Sequence, residues 1–212
     1  MQPHTPLDLM IINFDQGLRT LFGQPLVTAR PNPAETMADI ELSEQEKQLS
    51  ARLMRVNHAG EVSAQALYQG QALLSRRHAA GDVLHQSARE ENDHLWWCQQ
   101  RLEELGGRSS FLNPGWYAGG FAIGVLAGIL GDKWSLGFMA ETERQVVKHL
   151  DEHLQRLPAN DQKSRVILEQ LKEDEAHHAS VAMRAGGVKF PKSIGWVMRQ
   201  MAKVMTKTAF WI

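Results

Sequence analysis

The sequence predicts an all-α protein built on a four-helix bundle, and three observations carry that prediction. Apolar residues recur at helical spacing along most of the chain, and no stretch alternates convincingly enough to be a strand. Helix-stopping residues (Gly106-Gly107, Pro158, Gly186-Gly187) cut the chain into long segments. Four of those segments each carry one part of a duplicated glutamate and histidine pattern, so an antiparallel bundle is the economical arrangement. With 212 residues, 43% of them hydrophobic, the chain is long enough for one sizeable core.

Residues 7–22 place Leu7, Met10, Ile11, Phe14, Leu18 and Leu21 at helical spacing, which predicts a short amphipathic helix. Pro25, Pro31 and Pro33 then break the chain, so residues 1–42 read as an amphipathic helix and a proline-rich linker. Ser43 and Glu46 form a capping-box pattern that opens a helix running to about Arg77 and carrying Glu61. Gly81 is expected to separate it from a second long helix, which carries Glu91 and His94 and stops at Gly106-Gly107. Asn113-Pro114 has the form of an N-cap with a first-turn proline and opens an apolar helix ending near Gly131. The amphipathic stretch from about Asp132 to Leu157 carries Glu143, and the last long helix, from about Asn160 to Ala185, carries Glu175 and His178. The bundle thus spans residues 43–187, including the apolar segment 109–131, and residues 188–212 form a basic amphipathic C-terminal helix.

Lysine and arginine total 23 against 24 acidic residues, a balance that disfavours nucleic acid as a partner. Cys98 is the only cysteine, which excludes a disulfide framework and a cysteine-based zinc site and suits a reducing compartment. Asp8 and Asp15, with no basic stretch before the short apolar run, read poorly as a secretory signal, and arginine is too scarce for a mitochondrial presequence. The expectation is an intracellular protein, bacterial or already processed.

The chemistry lies in two strings, Glu91-Asn92-Asp93-His94 and Glu175-Ala176-His177-His178, with Glu61 and Glu143 each about thirty positions upstream. Residues three apart share a helix face, so each string aims a carboxylate and an imidazole at one point. Four carboxylates and two imidazoles are the inward-facing set of ferritin-like di-iron or di-manganese bundles. Two divalent ions cancel the four negative charges, which would otherwise carry a severe desolvation cost in a bundle core. Oxygen and nitrogen donors without thiolate suit iron or manganese and leave coordination positions for dioxygen. A single such string on a helix is usually a solvated pair; its duplication, with equivalent upstream glutamates, makes the metal reading specific.

Alternatives remain at this level. Asp174 with His177 competes with Glu175 and His178, although the repeat spacing favours the latter; spacing to histidine selects Glu91 over Glu90 but does not decide between Glu141 and Glu143. His58 and His149 sit where an imidazole could hydrogen-bond a ligand carboxylate, or are ordinary partly buried histidines. Tyr68 shares the face of Glu61, as core or as channel lining, while Asp93 and Asp174 read as surface charge in preference to histidine orienters.

The stretch from Ser109 to Gly131 has no charged residue and is nearly long enough to cross a bilayer. Gly120, Gly124 and Gly128 recur every fourth residue, which favours a closely packed buried or interfacial helix over a span. From Val188 to Ile212 there is no acid; Lys189, Lys192, Arg199, Lys203 and Lys207 accompany apolar Ile194, Val197, Met198, Met201, Val204 and Met205, with Trp196, Phe210 and Trp211. That composition suits an anionic membrane surface, the alternative being a helix docked on the bundle or on another subunit.

Arg55-Val56-Asn57-His58-Ala59-Gly60-Glu61, Tyr68-x-Gly70-Gln71, Glu91-x-Asp93-His94-Leu95 and the late glutamate motif beside a doubled histidine together resemble the demethoxyubiquinone hydroxylases of ubiquinone biosynthesis. The resemblance covers about residues 50–180. It implies a ferritin-like monooxygenase holding two iron ions, Fe2+ in the reduced state, peripheral to a membrane and hydroxylating the ring of a polyprenylated demethoxyquinol with dioxygen. It implies Glu61, Glu91, His94, Glu143, Glu175 and His178 as metal ligands and catalytic centre, so Glu143 in place of Glu141, with His58 and His149 at the family's adjacent histidines. The last motif is less acidic here, EDEAHH where some members read EELEHH. The location implied is the cytoplasmic face of a bacterial inner membrane, or the matrix face of a mitochondrial one, with a homo-oligomer or a biosynthetic complex as the assembly. No G-x-G-x-x-G fingerprint occurs, so electrons come from the quinol, a docked reductant or a partner. A ferritin-like ferroxidase or iron-binding protein is the alternative from the same architecture, and a metal-free helical scaffold the alternative from another class.

Overall fold

The computed structural model describes residues 5–28, 30–38 and 40–212; the Met10 side chain, expected on the apolar face of the first helix, lies outside the described residues. Among those residues the regular elements are all helices: α1 (Pro6–Phe22), α2 (Glu44–Ala72), α3 (His78–Glu104), α4 (Asn113–Ile129), α5 (Asp132–Arg156), α6 (Gln162–Arg184) and α7 (Lys192–Ala209). Ser43 and Glu46 make the expected reciprocal capping box at α2, and Thr5 with Asp8 makes another at α1. Gly106 and Gly186, at φ 66° and 106°, adopt the left-handed backbone that follows a helix end.

Two boundaries differ from expectation. Helix α2 ends at Ala72, before Arg77, because Asp132 draws the Arg76 and Arg77 backbone N–H groups out of the helix, accepting from each at 3.0 Å. Gly81 therefore lies inside the first turn of α3, donating to the Arg77 carbonyl at 3.1 Å, and separates nothing. Asn113 is not the cap of α4 either. Leu112 holds that position, and the Asn113 amide is turned to His58 Nδ1 at 3.4 Å.

The core forms two apolar layers. One holds Leu53, Met54, Cys98, Leu102, Leu150, Ile167, Leu168 and Leu171; the other holds Leu67, Tyr68, Leu84, Leu136, Met139, Ala140 and Ala182. Along α2 and α6 the chain runs from the first layer to the second, and along α3 and α5 it runs back. Adjacent helices within the pairs α2/α3 and α5/α6 are thus antiparallel, but α3 and α5 run the same way. Two parallel helices need a long crossover, which is what α4 supplies; this refines the simple antiparallel bundle.

Helix α4 lies along α2. A Cβ added at Gly120 would come 2.6 Å from the Ser63 carbonyl oxygen, and one at Gly124 would overlap the Leu67 backbone. The glycine stripe is a backbone-to-backbone seam. On the other side Leu126, Ile129 and Leu130 are exposed, so α4 is no core helix, and among the described residues no helix is long and apolar enough to cross a membrane. Helix α7 docks through buried Gly195 and Ala209 and leaves Ile194, Trp196, Val197, Met201 and Val204 exposed. Leu7, Ile11, Phe14, Leu18 and Phe22 of α1 are exposed as well.

Candidate metal centre

Every helix of the bundle puts its acidic motif between the two apolar layers, at the level where the four approach one another. Glu61 comes from α2, Glu91 and His94 from α3, Glu143 from α5, and Glu175 and His178 from α6. All six are buried, none more than 4% exposed. They form two groups, Glu61–Glu91–His94–Glu175 and Glu91–Glu143–Glu175–His178, and within each group one ligand atom per residue lies within 4.8 Å of all the others. Glu91 and Glu175 belong to both. These two would be shared by a pair of ions, which Glu61 and Glu143 would each hold from one group only.

The imidazoles point their Nδ1 atoms inward. His94 Nδ1 lies 3.4 Å from Glu91 and 3.2 Å from Glu175, and His178 Nδ1 lies 3.0 Å from Glu175 and 3.5 Å from Glu91. Their outer nitrogens are held across the helix pair. Asp174, just before Glu175, takes His94 Nε2 at 2.9 Å, and Glu90, just before Glu91, takes His178 Nε2 at 2.7 Å. A carboxylate on Nε2 keeps the proton there and leaves the Nδ1 lone pair for a metal.

Electrostatics fit two cations. Burial, then the Glu91 and Glu175 charges, raise Glu61 well above the usual carboxylate range, and burial and Glu175 do the same to Glu143. At Glu91 burial pulls upward too, but hydrogen bonds from His178 and His94 outweigh it and hold the group well below that range. Burial opposes charge on His94 and His178, yet the surrounding carboxylates overcome it and raise both well above the ordinary imidazole value. Four such carboxylates repel one another in a dry core unless cations separate them. Glu143 Oε1 is buried with no hydrogen-bond partner, as expected of an atom that would hold a metal, and Glu91 Oε1 has only the long 3.5 Å contact with His178 Nδ1.

The remaining candidates resolve individually. Glu141 accepts from Gln145 at 2.9 Å beside α7 and stands outside both groups, and His177 is exposed, so neither competes. Asp174 is a histidine orienter after all, not a surface charge. Asp93 is also buried, but it serves a different partner: the Thr28 backbone N–H and hydroxyl donate to it, each at 2.6 Å. Tyr68 is fully buried in the second apolar layer, a core position. His58 turns to Gln99 and Asn113, and no hydrogen bond joins it or His149 to a ligand carboxylate among the described residues. Burial lowers both to about 4. His149 instead lies tilted against His153, ring centres 3.9 Å apart, and His153 is anchored by Asn57 Oδ1 at 2.8 Å.

Spacing alone does not single out Glu90 and Arg30, since Glu90 has the form of a rival ligand and Arg30 lies in the proline-rich segment. The signal for Glu90 was an acid directly before each ligand glutamate.

A family model described as ubiquinone biosynthesis protein COQ7 matches residues 48–209. The chain is 61% identical over 206 residues to a 3-demethoxyubiquinol 3-hydroxylase of Nitrosococcus oceani, covering 97% of this chain and 96% of that protein. It is 54% identical to the protein of the same name from Nitrosomonas europaea, over 97% and 99% of the two chains. Among solved structures it is similar in fold, at 17% identity and a TM-score of 0.51, to a dodecameric thioferritin, the bacterioferritin-related protein of Bacteroides fragilis, over 76% of this chain and 92% of that one. That likeness makes the fold ferritin-like. On the match across most of its length, and on the duplicated site within it, the chain belongs to the COQ7 family of ubiquinone biosynthesis proteins.

Proposed function

We propose that this protein is a 3-demethoxyubiquinol 3-hydroxylase that uses two iron ions and dioxygen to hydroxylate the ring of a polyprenylated quinol. The observation that carries the reading is the pair of buried ligand groups sharing Glu91 and Glu175, in a chain 61% identical to a relative of that name. Iron in such a site supplies activation of dioxygen and insertion of one oxygen atom. The protein's own share is positional. Glu61 and Glu143 each complete one ligand group, Asp174 and Glu90 keep a proton on Nε2 of His94 and His178, and the apolar layers above and below exclude bulk water.

A lipid-tailed substrate calls for a membrane surface. The exposed apolar residues of α1, α4 and α7, beside the acid-free basic content of α7, support peripheral attachment, in a bacterium to the cytoplasmic face of the inner membrane. Electrons reach the site from the quinol, a docked reductant or a partner protein.

The test is mass spectrometry of quinones extracted from cells lacking this protein. Accumulation of a precursor without the ring oxygen is expected, restored by the wild type and not by Glu91→Ala. No such precursor, together with full rescue by Glu91→Ala, sinks the hydroxylase reading. Iron uptake and oxidation with no change in quinones would favour a ferroxidase instead.

A further inference from the structure

The two halves of the centre match beyond the ligands. On α3, Gln86 donates to Glu90 Oε1 at 2.5 Å, and Glu90 holds His178; on α6, Gln170 donates to Asp174 Oδ1 at 3.0 Å, and Asp174 holds His94. Each glutamine stands one helical turn before its acid, and each acid directly precedes a shared glutamate.

The match breaks at Arg30. Its Nη2 donates to Asp174 Oδ2 at 2.6 Å, the same oxygen that takes His94 Nε2. Among the described residues the only ion-pair contact of Glu90 is His178; the Arg30 guanidinium makes no ion pair with it, although, behind the His178 hydrogen bond, its charge helps to lower that carboxyl as well. The guanidinium also lies 5.2 Å from the centre of the Trp97 ring, which in turn lies 5.6 Å from the His94 ring. Arg30 thus reaches Asp174 and Trp97, each of which lies against His94.

Arg30 does not belong to the bundle. It lies in the extended stretch before α2, which the sequence reads as a linker and which precedes the family match at residues 48–209. This stretch is fastened like a strap. Thr28 grips Asp93 through two hydrogen bonds, the Arg30 backbone N–H donates to the Thr28 hydroxyl at 3.2 Å, and Asn32 donates to Gln100 at 3.0 Å. Ala34 is buried in the first apolar layer.

We infer that Arg30 is a positioning residue for the metal centre: the N-terminal strap fixes Asp174, and through it His94, so one ligand group is clamped directly by the strap and the other is not. Asp174 sits at the rim of the site, its side chain 15% exposed, where an unclamped carboxylate can turn toward solvent. Arginine's planar fork suits the clamp better than a lysine point charge would. The inference rests on the two-metal reading above.

The test is Co(II) titration of the full-length protein, stripped by a chelator and followed by visible absorption, with helicity checked by circular dichroism. The wild type is expected to bind two Co(II). Arg30→Gln should hold one as tightly as the wild type and the other about tenfold more weakly, the usual scale for losing such a support. Arg30→Lys should recover part of that loss, and in an Asp174→Asn background Arg30→Gln should add less than about twofold, since their shared path is already cut. Thr28→Ala slackens the strap without touching Arg30 and should weaken the same single step, which keeps the idea testable if Arg30→Gln misfolds. Arg30→Gln binding both ions as the wild type does, or loosening both equally, or acting additively with Asp174→Asn, overturns the inference while leaving the metal centre intact. A wild type that binds no Co(II) overturns the two-metal reading along with it.

Discussion

Glu90 on α3 reaches across to α6 and accepts from His178 Nε2 at 2.7 Å, while its neighbour Glu91 faces inward to the shared ligand cluster. Adjacent residues on one helix point about 100° apart, so one can serve the metals and the other can support the facing helix's histidine. Glu90→Gln keeps an acceptor but removes the charge. It is expected to weaken binding at the His178 side by about tenfold, measured by anaerobic Fe(II) titration, with α-helicity unchanged.

Shared and terminal carboxylates should differ in their effect on stoichiometry. Glu91 and Glu175 serve both groups, Glu61 and Glu143 one each. Glu91→Ala is expected to reduce bound iron to well under one per chain, whereas Glu61→Ala retains about one, by metal analysis of the purified variants. Both should lose quinol hydroxylation. Equal stoichiometry in the two variants would contradict the bridging assignment.

The chelator-stripped protein should be most stable near pH 6.5. Above that value the folded state keeps protons on His94, His178, Glu61 and Glu143, whose affinities are raised, while the unfolded chain has released them, so stability falls as pH rises. Between pH 4.5 and 6.5 Glu61 and Glu143 already contribute less stability as pH rises, but His58, His149 and His153, lowered to about 4, 4 and 2 by burial, stay neutral in the fold while the unfolded chain takes up protons. These three outnumber the two carboxylates, so stability falls again toward acid. Glu91, held low, gives stability above pH 4.5 that is lost only in stronger acid. Metal displaces the cluster's protons, so the gain in melting temperature on adding Fe(II) should grow from pH 6 to pH 8. A constant gain, followed by calorimetry, would count against this.

The α2–α4 seam leaves no room for a methyl group. Gly124→Ala would press on the Leu67 backbone and should destabilise by about 1–3 kcal/mol, the range for overpacking, visible as a lower melting temperature. Gly119→Ala, with nothing within 4 Å of the new Cβ, is the control and should be neutral or slightly stabilising.

If α7 rests on a membrane, the double substitution Val197→Glu and Met201→Glu, both on its exposed face, should abolish sedimentation with vesicles containing anionic phospholipid. Iron content should not change. Retained vesicle binding would place the contact elsewhere, on α1 or α4.

Much of this molecule is legible in its sequence because the signals are local. The capping box at Ser43 and Glu46, the stop at Gly106-Gly107 and the three-residue spacing of Glu91 with His94 depend only on helix geometry. The choice of Glu143 over Glu141 was beyond spacing. Two residues apart on a helix, they point in different directions, and only the position of α7, whose Gly195 abuts Glu141, assigns each its side. The end of α2 is set by a similarly distant partner: the acid that captures Arg76 and Arg77 is Asp132, far away in the chain.

The sequence by itself determined the helices and the duplicated glutamate and histidine pattern, down to Glu61, Glu91 and His94, since these follow from periodicity and residue chemistry within single segments. Tertiary structure decided which carboxylates are shared, that Glu90 and Asp174 brace the histidines of each other's helices, and that a proline-rich stretch reaches the centre through Arg30. Those are relationships between separate segments, 80 and 88 positions apart for the two histidine braces and 144 for Arg30 and Asp174, set by how the helices pack, and helix periodicity records which face a residue occupies, not what the face meets.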